Sequence, residues 1–338
     1  MQKLRVTVLT GGTSAEREVC WMSGRKVMGA LDPARYEAKC VDLAGVTGAR
    51  AADLAQLLFA PVGEAAAAET TQHADGKPDV VFVALHGGAG ENGTVQGMLE
   101  LLGVPYTGSG VLASALAMNK IMAKKIFERE GIPTPKWAAR RRPEKSDAKS
   151  MVKPIGLPCV VKPACEGSTI GVTVVRVQAE LEPALELAFG YGPEAIVEQF
   201  VEGTEITGPV IGNDDARVLP LVEIVPRDGF YNYEAKYTPG ATEEIVPARI
   251  PEATAAKARE LTLRAHHALG CRGFSRVDMI AAPDEVYVLE VNTIPGLTET
   301  SLVPRAAEAA GMSFAQLVDR LIELALEGKG GGGAGRWS

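Results

Sequence analysis

Between Leu4 and Gly110 the chain switches repeatedly between two periodicities, and that alternation constrains the fold more than any other feature. "RVTVLT" (5–10) is a short apolar run of the kind that makes a buried strand. "SAEREVCWMSGRKVMGAL" (14–31) follows with helical spacing, and Ser14 stands where an N-cap belongs. "YEAKCVDL" (36–43) and "DVVFVALHG" (79–87) read as the next strands, and "VPYTGSG" (104–110) contains a short fourth. Parallel strands need long crossovers, and helices between strands supply them, so this third of the chain predicts a parallel sheet flanked by helices. Residues 45–78 are Ala/Gly-rich with room for one helix.

After that the pattern changes. A single helix is predicted over 111–130, stopped by Gly131 with Pro133 and Pro135 beyond it. The basic, proline-punctuated stretch 133–154 reads as a junction between domains. "PCVVKP", "GVTVVRV", "AIVEQFV" and "ITGPVIG" are then short strands divided by glycine-containing turns. A long helix (252–269), two further strands and an amphipathic helix (313–327) complete an α+β region. The Gly-Pro pair within "ITGPVIGND" is unusual for a strand. The tail "GKGGGGAGRWS" (328–338) is expected to be disordered.

At 338 residues the chain exceeds what one core usually holds. A net charge of −7 without a long basic run argues against a nucleic-acid or anionic-membrane surface. Five cysteines, odd in number and without a C-x-x-C pair, argue against a disulfide framework or a zinc site. The start "MQKLRVTVLTGG" has no signal-peptide core, and no apolar run reaches membrane-spanning length; the expected location is the cytoplasm.

The segment "GFSRVDMIAAPDEVYVLEVN" (273–292) carries chemistry. Two strands meet at an Ala-Pro-Asp turn and should pair as an antiparallel hairpin. Centred near residue 284, the pairing sets Asp278 opposite Glu290 and Arg276 opposite Asn292. Residues two apart share a face, so all four project together. Opposed carboxylates repel unless positive charge lies between them, and oxygen ligands of this kind suit a hard cation such as Mg²⁺. A solvated salt-bridge face would explain Arg276 and Asp278 equally.

Five other stretches hold candidate residues. In "LTGGTSAEREV" the dinucleotide fingerprint fails, since its second and third glycines would fall on Thr13 and Glu16. Glu16 at a helix start suits an ammonium group, or simply the helix dipole. "LHGGAGENGTVQGML" puts His86 and nearby glycines at a strand's C-terminal end, where such sheets bind ligands; a structural His86 is the alternative. "VVKPACEGSTIGVTVV" lacks the Walker pattern, yet Lys162, Gly167, Ser168 and Thr169 are of phosphate-cradling type. "AIVEQFVEGTE" sets Glu198 and Glu205 around a strand end, where carboxylates can accept from ribose or an adenine amino group. "YNYEAKYTPG" (231–240) is either a lid or a packed aromatic surface loop.

Together these segments resemble the D-alanine–D-alanine ligases of the ATP-grasp superfamily. The resemblance lies in "GGTSAEREV", "HGGAGENGTVQGMLELLGVPYTGSG", "ALAMNK", "VVKPACEGST", "FYNYEAKY", "RVDMI", "LEVNTIPGLTETSLVP" and "AGMSFAQLV", in family order from about residue 4 to 327. It implies an ATP-grasp fold with an N-terminal Rossmann-like parallel-sheet domain (1–115, the first-substrate side), a central subdomain (116–203) and a C-terminal subdomain with the metal site (204–327). It also implies ligation of two D-alanines with ATP, through an acyl phosphate, for peptidoglycan precursor synthesis, in a cytoplasmic homodimer. By the same resemblance Glu16 would hold the first D-alanine's ammonium, with Ser168 and Tyr237 hydrogen-bonded to it and His86 helping to position that substrate. Lys120, Lys162 and Lys236 would contact the ATP phosphates, and Ser168 would lie in the loop beside them. Glu198, Glu205 and the backbone near Val201 would hold adenine and ribose. Asp278, Glu290 and Asn292 would bind two Mg²⁺, or Mn²⁺ in their place. Arg276 and the amide of Gly296 would meet the oxyanion, and Ser301 and Leu302 the second carboxylate.

Three residues depart from the family pattern. Asn92 and Asn119 stand where Asp is usual, and Cys165 where some members have arginine; with Lys120 kept, tuning and not loss is expected, and Cys165 is expected either to weaken one phosphate contact or to make the loop oxidation-sensitive. Rival readings are a D-lactate or D-serine second substrate, a non-catalytic nucleotide-binding protein on the same fold, and a nicotinamide dehydrogenase. Tyr237 fits the dipeptide-forming pattern. Intact Arg276, Asp278, Glu290 and Asn292 speak against silence, and the failed glycine fingerprint against the dehydrogenase.

Overall fold

A computed structural model describes residues 3–46, 77–142, 151–227 and 240–327. The first sheet is β1 (Leu4–Thr10), β2 (Tyr36–Asp42) and β3 (Val80–Val83), parallel and in the order β2-β1-β3. Val80 to Val83 are all fully buried, as a parallel strand covered on both faces should be. The predicted fourth strand shrinks to one parallel bridge between Val81 and Tyr106. Its glycines at 108 and 110 end any run, and Thr107 spends its hydroxyl oxygen on Val83 N. Helix α1 (Arg17–Ala30) begins three residues later than predicted. Ser14 is not its cap: the hydroxyl donates to His86 O at 2.7 Å instead. Helix α2 (Thr94–Leu101) follows β3.

The helix expected over 111–130 is two helices, α3 (Val111–Met118) and α4 (Lys120–Arg129). Asn119 between them is extended (φ −86°, ψ 97°), and its side chain accepts from Met122 N, capping α4. The apolar period runs through the break, so periodicity alone does not reveal it.

The central sheet has the order β4-β7-β5-β6, from β4 (Trp137–Arg141), β5 (Cys159–Pro163), β6 (Thr173–Val175) and β7 (Glu194–Gln199), all antiparallel neighbours. Helix α5 (Leu181–Phe189) buries Leu181, Leu185 and Phe189 against it. The third sheet runs β11-β10-β8-β12-β13, with β9 beside β8. These strands are β8 (Thr204–Gly212), β9 (Arg217–Val218), β10 (Val222–Pro226), β11 (Thr242–Ile245), β12 (Gly273–Ala281) and β13 (Val286–Asn292). Helix α6 (Glu252–Ala268) packs across β8, β12 and β13 through Ala258, Leu261 and Ala265.

The Gly-Pro pair in β8 has a local explanation. Pro209 O accepts from Leu219 N at 2.8 Å, on the side where β9 ends and β10 has not begun. A residue's N–H and C=O point the same way in a strand, so the N–H that proline lacks would face this gap in the ladder, not β12.

Two further helices close the chain, α7 (Leu302–Ala309) and α8 (Phe314–Leu326). Sequence reading missed α7 because Pro304 lies within it, yet in a first turn proline costs no hydrogen bond. Ser313 and Gln316 form a capping box at the start of α8. Both helices return to the N-terminal sheet: Val303, Leu317, Val318 and Leu321 share one core with Val6, Val8 and Val81. The turn after β13 is thereby pressed against the end of β3.

Candidate active site

The hairpin pairs as expected at the end that carries the polar residues. Arg276 faces Asn292 and Asp278 faces Glu290, then a bulge between Asp278 and Met279 shifts the remaining register by one. The cost of the polar strand end is met by protein groups. Arg276 Nε and Nη2 donate to the two Asp278 oxygens at 2.9 and 2.8 Å. Thr207 Oγ1 donates to Oδ1 at 2.6 Å and Asn292 Nδ2 to Oδ2 at 2.9 Å. Lys120 Nζ lies 3.0 Å from Glu290 Oε2. The positive charge that the sequence required between the carboxylates is therefore Arg276 on one side and Lys120 on the other.

Lys120 owes its place to the break at Asn119. Its backbone N–H donates to Ala164 O at 2.9 Å and its ammonium to Glu166 O at 2.7 Å, so α4 is tied to the loop 164–169. In that loop Ser168 and Thr169 both adopt left-handed φ values, 49° and 62°. Two consecutive non-glycine residues there store backbone strain, which concentrates at ligand-binding loops. Ser168 Oγ donates to Glu16 Oε1 in a short hydrogen bond, closing the loop over the start of α1. Gly87 (φ 69°) makes this possible: a Cβ there would sit 2.8 Å from Glu16 Oε2.

His86 is buried, with Nε2 2.9 Å from Ser23 Oγ and Nδ1 3.0 Å from Ile294 O. A carbonyl can only accept, so Nδ1 carries the proton and Nε2 accepts from the serine. Burial holds His86 below its ordinary pKa, against the pull of Glu16. It therefore stays neutral and fastens β3 to the turn that follows β13.

Two cavities meet at this point. A cleft of about 600 Å³ between the second and third sheets is lined by Lys120, Lys162, Glu198, Val201, Glu205 and Glu290, among others. A smaller one, of about 70 Å³, is walled by Glu16, His86, Ser168, Arg276, Gly296 and Ser301. Asn292 and Leu302 also line the smaller cavity, and Asp278 the larger. Gly167 and Glu290 line both. Gly296 packs against Ser301, whose Oγ would lie 2.8 Å from a Cβ at 296. Ser301 and Leu302 form the N-terminus of α7, where backbone N–H groups favour an anion. Lys236 and Tyr237 lie outside the described residues, as does most of the aromatic loop 231–240.

Asp278, Glu290 and Asn292 supply only hard oxygen donors, and Asn292 keeps its carbonyl oxygen while its N–H serves Asp278. Among the described residues, no three His, Cys, Asp or Glu side chains form a metal cage of their own. The donor set fits a Mg²⁺ completed by waters and substrate phosphates, the usual way that ion is held.

Two site residues escaped the sequence reading. Glu91 lines the smaller cavity, accepts from Gly87 N at 3.0 Å, and is raised to about 8 by burial and then by Glu16. Lys124, one helical turn after Lys120, is fully buried and 3.1 Å from Glu198 Oε1. Its spacing from Lys120 was the available signal. The departures from the family pattern prove conservative in structure. Asn92 Oδ1 accepts from Thr94 N at 3.0 Å and Asn119 Oδ1 from Met122 N at 3.0 Å, roles in which an amide oxygen serves as well as a carboxylate. Cys165 is exposed at the loop surface, and partial desolvation of its thiol, opposed by Lys120, raises it above its ordinary value.

The family model described as D-ala D-ala ligase N-terminus matches residues 5–109, and that described as D-ala D-ala ligase C-terminus matches residues 126–323. A D-alanine–D-alanine ligase from Syntrophobacter fumaroxidans is 48% identical over 328 residues, covering 96% of this chain and 99% of that one. One from Desulforudis audaxviator is 47% identical over 324 residues, covering 96% and 99%. Among solved structures, the D-alanine–D-alanine ligase from Bacillus anthracis complexed with ATP superposes with a TM-score of 0.80 at 33% identity, covering 96% of this chain and 98% of that one. The VanG D-Ala:D-Ser ligase from Enterococcus faecalis does so with a TM-score of 0.80 at 32% identity, covering 96% and 100%.

Proposed function

The chain belongs to the D-alanine–D-alanine ligase family, and we propose that it joins two D-alanines to D-alanyl-D-alanine at the expense of ATP, for peptidoglycan precursor synthesis. The observation that carries this reading is the meeting of the two cavities at Gly167 and Glu290, beside the Glu16–Ser168 bond. A nucleotide in the larger cleft would point its γ-phosphate at the smaller cavity.

The residues then divide the work. Glu16 takes the first D-alanine's ammonium, and Ser168 and the neutral His86 fix its orientation. Lys120 and Lys162 bind phosphate oxygens, joined by Lys236, while Glu198, Glu205 and the backbone at Val201 hold adenine and ribose. The first D-alanine's carboxylate attacks the γ-phosphorus, the bond to the β–γ bridging oxygen breaks, and ADP leaves from an acyl phosphate. The second D-alanine, its carboxylate at the α7 N-terminus beside Ser301 and Leu302, attacks the acyl carbon through its amine. Negative charge gathers on the carbonyl oxygen, where the Arg276 guanidinium and Gly296 N–H stabilise it; phosphate then departs and the amine loses a proton. Asp278 grips Arg276 at two points, which holds the guanidinium plane in place. Asp278, Glu290 and Asn292 would hold two Mg²⁺, or Mn²⁺, which when bound neutralise phosphate charge. Acyl phosphates hydrolyse, so the site must exclude water, and Tyr237 closing on Ser168 would do so.

We assign the domains as 1–115, 116–203 and 204–327, and the working form as a cytoplasmic homodimer with no nucleic-acid or membrane partner. Among the described residues no helix is long and apolar enough to cross a membrane. The test is phosphate release with ATP and D-alanine, against L-alanine, D-lactate and D-serine as second substrates. D-Alanyl-D-alanine as the main product is expected; a preference for D-lactate or D-serine would overturn the assignment, and release without any D-alanine would overturn the ligase reading.

A further inference from the structure

Behind the nucleotide cleft lies a buried cluster of three charges. Glu198 on β7 is 2% exposed. Its Oε2 accepts from Lys162 Nζ at 2.7 Å, and its Oε1 lies 3.1 Å from Lys124 Nζ. Lys162 and Glu198 line the cleft; Lys124 does not, and its side chain has no solvent exposure. Lys124 also donates to Thr134 Oγ1 at 2.5 Å, and Thr134 Oγ1 donates to Val288 O at 2.8 Å. The ammonium thus touches the central sheet through Glu198 and the metal-site hairpin through Thr134. Burying a second lysine is costly, and stability alone gives no reason for it: Lys162 with Glu198 would already be a balanced pair.

We propose that Lys124 is a positioning residue for the nucleotide phosphates, because by neutralising Glu198 from behind it leaves the charge of Lys162 for ATP. The inference rests on the reading of Lys162 as a phosphate ligand. With Lys124 present the cluster carries one net positive charge at the cleft wall. Without it, Glu198 cancels Lys162, and a triphosphate must compete with a buried carboxylate for the same ammonium. The titration behaviour agrees with such sharing. Burial opposes charge at Glu198, yet Lys124 and Lys162 outweigh it and hold the carboxyl below its ordinary range. Burial also opposes charge at Lys162, but Glu198, Glu290 and Glu205 hold it above its ordinary value. At Lys124 burial prevails and lowers the pKa, with Glu198 pulling the other way. Burial opposes charge at all three groups, and only at Lys124 does it prevail over the partners.

The experiment compares Lys124→Met, Glu198→Gln and the double variant in steady-state kinetics, with Lys162→Met as the control on the underlying reading. Lys124→Met should raise the KM for ATP at least about tenfold, the cost of one charge-assisted phosphate contact. The KM for D-alanine should stay within about twofold, since the two sites are separate. In the Glu198→Gln background, where no carboxylate competes for Lys162, the same substitution should change the ATP KM less than about threefold. A merely structural lysine would cost as much in both backgrounds, or affect both substrates alike, and either result overturns the proposal. If Lys162→Met leaves the ATP KM unchanged, the phosphate reading of Lys162 is what fails. Should Lys124→Met not fold, Thr134→Val carries the test: it removes a neutral partner and no charge, so an ATP KM within about twofold of wild type is expected and a tenfold rise overturns the charge argument.

Discussion

Glu91 offers the sharpest test of the site's electrostatics. The residue is 9% exposed, and its carboxyl is raised from 4.5 to about 8, first by burial and then by Glu16. The folded protein thus binds this proton more tightly than the unfolded chain does. The resulting stabilisation is complete below about pH 4.5 and is lost as pH rises through about 8. At about 1.4 kcal/mol per pH unit, a proton held that tightly is worth roughly 3 to 5 kcal/mol, the lower figure allowing for Glu16 sharing the titration. Glu91→Gln keeps an oxygen for Gly87 N and has no proton to lose. Urea denaturation of ligand-free wild type and variant, at matched pH values from 5 to 9, should show a small difference at pH 5. The difference should grow in the variant's favour to a few kcal/mol by pH 9, approaching about 1.4 kcal/mol per pH unit. A difference independent of pH, or one that shrinks as pH rises, would show that Glu91 is ionised in the folded protein and that the reasoning is wrong.

Two further outcomes follow from particular contacts. Glu290→Gln removes the negative charge 3.0 Å from Lys120 and one carboxylate from the proposed metal set; phosphate release dependent on D-alanine and Mg²⁺ should disappear, and wild-type turnover would refute the metal assignment. Gly208→Ala places a methyl 2.2 Å from Thr262 Oγ1, which is itself bonded to Ala258 O; denaturation should show a loss of about 1–3 kcal/mol, largely recovered by adding Thr262→Ala, and no loss would mean that α6 does not press on β8 as described.

What the sequence made legible was whatever repeats or pairs locally. Period gave the parallel strands of the first sheet and the long helix 252–268, and strand parity with one turn gave the Asp278–Glu290 register. The bulge after Asp278 was hidden, because it lies on the turn side of the polar residues and leaves their facing unchanged. The break at Asn119 was hidden because helical period continues across it; only the capping preference of asparagine hinted at a new start. Glu91 and Lys124 were missed for another reason. Each matters through partners far away in sequence, Glu16 and Glu198, and neither lies in a run that looks unusual by itself. The role of His86 was half visible: the strand end drew attention to it, but its tie to Ile294 O, 208 residues on, belongs to tertiary structure.

The resting ion pairs bear on how the site can work. Among the described residues, each cation assigned to ATP or to the oxyanion already has an acidic partner: Lys120 with Glu290, Lys162 with Glu198, Arg276 with Asp278. Buried cations without such partners would be expensive, so the pairing offsets that cost and orients them before any substrate arrives. Catalysis then requires exchange more than recruitment. Phosphate oxygens approaching Lys120 would free Glu290, which could then help hold a metal ion of the kind proposed above. Arg276 differs, because its grip on Asp278 is bidentate and also supported by Thr207 and Asn292. That pair should persist through turnover, so Arg276 must meet the oxyanion with the part of its guanidinium that Asp278 does not hold. The hairpin thus presents two carboxylates of different character: Glu290 exchanges its partner, whereas Asp278 keeps Arg276 and can turn to the proposed metal only by giving up its hydrogen bond from Thr207 or Asn292.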